Sequence, residues 1–93
     1  MIKATKPIAI EPGVLLRHIL EKAHVSQKRL AEHIGIDQSY ISNICRGRIG
    51  ISAEMAKKLG RAFNQNAEFW MNAQSAWELS QADDQEHIKP LAA

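Results

Sequence analysis

Twenty residues, from Gln27 to Arg46, leave this chain little choice of fold. Counted from Gln27, the fifth place holds a small residue, Ala31, and the ninth a glycine, Gly35. The fourth, eighth, tenth, fifteenth and eighteenth places hold Leu30, Ile34, Ile36, Ile41 and Ile44. Apolar residues at three- and four-residue intervals mark the inner faces of helices; a strand would alternate with a period of two. A small residue lets two helix backbones approach, and a glycine takes the positive φ that ends one helix and turns the chain toward the next. The window predicts two short helices held as a wedge at roughly 90–120° by a tight turn.

Helical spacing continues on both sides. Pro12 suits a first helical position, with Glu11 a favourable charge beside it, and predicts helix 1 over 12–23. Leu15, Ile19 and Ala23 form its apolar row, with Leu16 and Leu20 alongside. Ser26 is the N-cap candidate of helix 2, whose inner face carries Leu30, Ala31 and Ile34 before Gly35 ends it. Asp37 caps helix 3 over 38–46, and Gly47 stops it. Ser52 caps helix 4, which spaces out Met55, Ala56, Leu59, Ala62 and Phe63. Asn66 caps helix 5, running to about 81 with Phe69, Trp70, Ala73, Ala76 and Trp77 as a broad apolar band. The expected fold is all-α, five helices without a sheet. It divides into an N-terminal arm over 1–10, a helical domain over 11–81 and a short polar tail over 82–93.

Composition excludes several functions. A chain of 93 residues makes one domain with a thin core, short of the depth a lidded catalytic cleft needs. Its single cysteine, Cys45, forms no internal disulfide and reads as a small packing residue. The N-terminus lacks the apolar run of a signal peptide. The longest apolar stretches, Ile8-Ala9-Ile10 and Val14-Leu15-Leu16 among them, are three residues against the ~20 of a membrane helix. A soluble, cytoplasmic protein is expected. His18, His24, His33 and Cys45 lack paired zinc-ligand spacing, and no nucleophile elbow frames the serines, so neither metal, cofactor nor catalytic residue is expected.

Charge is uneven. Residues 1–61 carry eleven of the twelve Lys and Arg against five acids, while residues 62–93 carry Lys89 alone against five acids. A basic first part and an acidic end imply surfaces for different partners. Two apolar residues of helix 3 face inward, leaving Gln38, Ser39, Tyr40, Ser42 and Asn43. Gln and Asn make paired hydrogen bonds to adenine in a DNA major groove, and Ser serves several bases. In a helix-turn-helix the second helix enters that groove with its N-terminal end against base edges. Gln38, Ser39 and Asn43 are therefore the candidate base contacts. Gln27, Lys28, Tyr40, Ser42, Arg46 and Arg48 are the candidate phosphate contacts, as side chains at the edges of such a helix are. The same residues also fit a solvated polar face.

Residues 26–47 resemble the helix-turn-helix of the Xre, or lambda-repressor-like, family. Pro12-Gly13, Leu16-Arg17, Arg48-Ile49-Gly50-Ile51-Ser52 and Ala67-Glu68-Phe69-Trp70-Met71-Asn72, with Gln74 and Ala76, extend the likeness to the HigA and VapI antitoxins. Helix 1 departs from the pattern: family members often end it in Leu-Gly, where this chain has Ala23-His24. The resemblance implies a homodimer that binds a palindromic operator, represses its own operon and neutralises an RNA-cleaving toxin of the HigB type. Helix 5 offers the dimer candidates Trp70, Ala73 and Trp77, since tryptophan is enriched at interface hot spots. Trp70 suits the core of a small domain more than an interface, and Trp77 suits either. Glu78, Asp83, Asp84 and Glu86, or the arm around Lys3 to Ile10, are candidate toxin contacts. Two other readings stay open at this point: a stand-alone Xre-type repressor without a toxin, and a protein-interaction module that has lost DNA binding.

Overall fold

The computed structural model describes residues 9–92, and within them the chain is five helices without a strand. These are α1 (Pro12–Ala23), α2 (Gln27–Ile34), α3 (Gln38–Cys45), α4 (Ala53–Phe63) and α5 (Ala67–Gln81). The arm expected over 1–10 lies outside the described residues except for Ala9 and Ile10.

Three of the four predicted caps form. Ser26 Oγ accepts from the Arg29 N–H at 3.0 Å, Asp37 Oδ1 from the Ser39 N–H at 2.9 Å, and Ser52 Oγ from the Met55 N–H at 3.1 Å. Each supplies one of the acceptors that a helix start lacks. Asn66 holds the N-cap backbone position of α5, but its side chain makes no cap bond. That end is pinned by Trp70 instead, which is fully buried and donates its indole N–H to Gln65 Oε1 at 3.0 Å. Between α2 and α3, Gly35 takes φ +74 and the Ile36 N–H returns to the Ala31 carbonyl at 3.0 Å. This is the left-handed turn that glycine adopts without steric cost.

Leu30, Ala31, Ile41 and Ile44 are buried where the wedge closes, and Ile34 and Ile36 are half-buried at its rim. Helix α1 lies across α3 and α5. Its buried line runs Gly13, Leu16, Leu20, whereas Leu15 and Ile19 are half-buried and Ala23 is exposed. The expected row is thus rotated by one position. Gly13 accounts for the rotation: a Cβ there would run into the Ile44 carbonyl of α3, so the backbones touch along the 13–16–20 face. Helix α4 buries Met55, Ala56 and Leu59 of its expected face, and Ala62 and Phe63 are half-buried. On α5 the band is narrower than its apolar residues imply. Trp70 and Gln74 are buried, Ala73 and Trp77 half-buried, and Phe69 and Ala76 exposed.

Candidate nucleic-acid interface

With Ile41 and Ile44 turned into the core, α3 presents its polar residues outward over about 12 Å, the length of an eight-residue helix. Residues four apart lie one above the other. Ser39 and Asn43 therefore share one row and Gln38 and Ser42 the next. Gln38, Ser39 and Tyr40 are exposed, while Ser42 and Asn43 are half-buried one turn on. The Ser39 hydroxyl donates to Asp37 Oδ1 at 2.9 Å, so its proton is committed and its lone pairs face outward as acceptors. Two hydrogen bonds from Ser39, backbone first and hydroxyl second, hold the Asp37 carboxyl below its ordinary pKa. Asp37 is fully ionised at neutral pH and anchors the helix start.

Two arginines close the other end. Arg46 and Arg48 are both exposed in the loop that follows α3. The Arg48 N–H donates to the Asn43 carbonyl at 2.9 Å, folding the loop back on the helix that carries the candidate base contacts. Lys28 is exposed and Gln27 half-buried at the start of α2. The far end of the loop is held from α5: the Ile51 N–H donates to Gln74 Oε1 at 2.8 Å. Gln74 Nε2 in turn donates to Glu78 Oε1 at 3.1 Å. Gly50 lies flush on this amide, where an added Cβ would stand 2.7 Å from Gln74 Nε2.

Gln74 is the loop-holding residue that the apolar-band reading passed over. Its signal was spacing: 70, 74 and 77 fall on one helical face, which places a polar side chain between two buried or half-buried tryptophans. A buried amide needs partners, and the turn at residues 50–51 supplies one. Of the dimer candidates, Trp70 is fully enclosed by its own chain and presents no surface to a second copy. Ala73 and Trp77 keep part of theirs. Cys45 is buried, and loss of hydration pushes its thiol up, partly offset by Arg17. Among the described residues no group of three His, Cys, Asp or Glu stands close enough to share a metal ion, and no helix is long and apolar enough to cross a membrane.

A buried wedge of two short helices, the second turned outward by a glycine corner and edged by arginines, defines a helix-turn-helix protein. The chain belongs to the Xre-type helix-turn-helix family (HTH_3), whose profile matches residues 16–70. It is 36% identical over 75 residues to virulence-associated protein A′ of Dichelobacter nodosus, a match spanning 80% of this chain and 65% of that protein. It is 30% identical over 96 residues to antitoxin HigA-1 of Vibrio cholerae, covering 97% of this chain and 90% of the relative. Among solved structures it resembles the Pseudomonas aeruginosa antitoxin HigA with higBA promoter, at 36% identity and a TM-score of 0.83 over 91% of this chain and all of that one.

Proposed function

We propose that this protein is a HigA-type antitoxin that binds DNA sequence-specifically and represses its own operon. The observation that carries the reading is α3: its apolar residues close the wedge, its start is capped, and its remaining side chains are hydrogen-bonding groups suited to base edges. The likeness to a HigA structure that contains promoter DNA supports it. Gln38, Ser39 and Asn43 read the bases, and Gln27, Lys28, Tyr40, Ser42, Arg46 and Arg48 hold phosphates. The unit that does this is residues 11–81. Two copies on a palindrome would place two α3 helices one helical turn apart, roughly 34–36 Å, and block transcription from the promoter. The antitoxin part of the reading rests on the relatives' names. It assigns the neutralising of a HigB-like, RNA-cleaving toxin to the acidic end, where Glu78, Asp83, Asp84 and Glu86 are exposed. The protein would work in the cytoplasm, held at the nucleoid by its operator.

The test is a titration of the protein onto its own gene's upstream DNA at two salt concentrations. Expected is tight binding to an inverted repeat that weakens with salt through counterion release. Gln38→Ala with Asn43→Ala should lose the preference for that repeat while residual, salt-sensitive binding to random DNA persists. Binding no stronger to the repeat than to random DNA would sink the repressor reading. Co-purification with a small basic protein encoded by the adjacent gene tests the toxin separately.

A further inference from the structure

We propose that Gln74 is a positioning residue for DNA binding, holding the Arg46–Gly50 loop from α5 so that Arg48 is presented to a phosphate. The inference rests on the DNA-binding reading above and adds a residue that is not itself a candidate contact. The loop is tied at both ends, and its first turn also by the Gly47 N–H on the Ile44 carbonyl at 3.0 Å. Its start is fixed to α3 through the Arg48 N–H and the Asn43 carbonyl, 2.9 Å apart. Its end is fixed to α5 through the Ile51 N–H and Gln74 Oε1, 2.8 Å apart and twenty-three residues distant in sequence.

Between those ties the chain runs through an exposed Arg48, an exposed Ile49 and Gly50. Such a segment has little of its own to fix its path. A loop left free would order on meeting DNA, and the lost freedom would subtract from affinity. Gln74 removes that freedom in advance. Its side chain is 8% exposed and the sole buried polar side chain in the described core. Both ends of its amide are used: the carbonyl takes the loop N–H, and the amino group is oriented by Glu78 Oε1 at 3.1 Å. A hollow walled by Pro12, Gly47, Arg48, Gly50, Gln74 and Trp77 marks where the loop bridges from α1 to α5. The side chain of Ile51 is 3% exposed in the core, and Gln74 fixes the loop backbone at its N–H.

The experiment measures operator binding against salt for wild type, Gln74→Leu, Arg48→Ala and the double variant, with circular dichroism to verify the fold. Gln74→Leu is expected to weaken binding by about tenfold per half-site, the scale of one charge-assisted contact. It should also lower the slope of log affinity against log salt by about 2 on the palindrome, because each of the two copies loses one phosphate contact. Arg48→Ala should then add little. Gln74→Glu, which sets two carboxylates together, should be impaired. Gln74→Glu with Glu78→Gln should recover, since donor and acceptor are exchanged at constant net charge.

If Gln74→Leu does not fold, Gly50→Ala carries the same test from the loop side, because its Cβ displaces the amide. Wild-type affinity and slope in folded variants, or a loss that adds in full to that of Arg48→Ala, overturns the proposal. Wild-type protein that fails to bind the operator overturns the functional reading instead.

Discussion

Single residues set both strain and close contact in this fold. His24 ends α1 with φ 56, in the left-handed region, where family members often place glycine. For a residue with a Cβ that conformation costs about 1–2 kcal/mol. Glycine would relieve it, but would loosen the unfolded chain by about 0.4–1 kcal/mol. Relief is the larger of the two, so His24→Gly should stabilise the protein by roughly 0.5 kcal/mol. A urea unfolding curve with unchanged slope and a higher midpoint would show it; a lower midpoint would mean that His24 makes contacts that offset its strain. Gly13 is the opposite case. Its backbone angles suit any residue, yet the Ile44 carbonyl occupies the space where a side chain would begin. There the constraint is room, and it fixes how α1 rolls on α3.

Elements show how much of this fold was legible in the sequence, and where it stopped. Helices α1 and α3 were placed by Pro12, Asp37 and Gly47, local signals that act through backbone hydrogen bonds and need no tertiary knowledge. Burial within a helix depends on neighbours, which is why the α1 row and the α5 band shifted. The row turned to suit Gly13 against α3, and the band admitted Gln74 because a loop N–H lay opposite. Asn66 takes the N-cap place of α5 by its backbone but makes no side-chain cap bond, and the bond from Trp70 to Gln65 ties that end.

The start of α3 also carries a pH dependence. The folded carboxyl of Asp37 titrates below its unfolded value, so its contribution is present above the unfolded pKa, near 3.9, and is lost as pH falls through the folded one. Wild type should therefore lose more stability between pH 5 and pH 3 than Asp37→Asn, whose amide oxygen still caps the helix without titrating. Denaturant midpoints at about pH 5 and pH 3 decide this; parallel losses in both proteins would show that the cap does not depend on charge.

At the scale of the molecule, the charge division and the placement of the two tryptophans bear on assembly. Trp70 is enclosed, so it stabilises the single chain alone. Trp77 stands seven residues on, half-buried beside the loop that carries Arg48, with exposed Phe69 and Ala76 on the flank of the same helix. Aromatic side chains that keep part of their surface beside other apolar groups are the usual anchors of a protein interface. If α5 joins two copies, Trp77→Ala should reduce the mass seen by light scattering at low micromolar concentration from twice 10.4 kDa toward that of one chain. Its consequence for DNA is separable from its consequence for folding. A monomer still reads one half-site, whereas the full palindrome gains from two linked contacts. Trp77→Ala should hence bind an isolated half-site as wild type does and lose its advantage on the full palindrome. Should the variant remain a dimer with its palindrome affinity intact, Trp77 belongs to the packing of the single chain, and the two copies meet through another face.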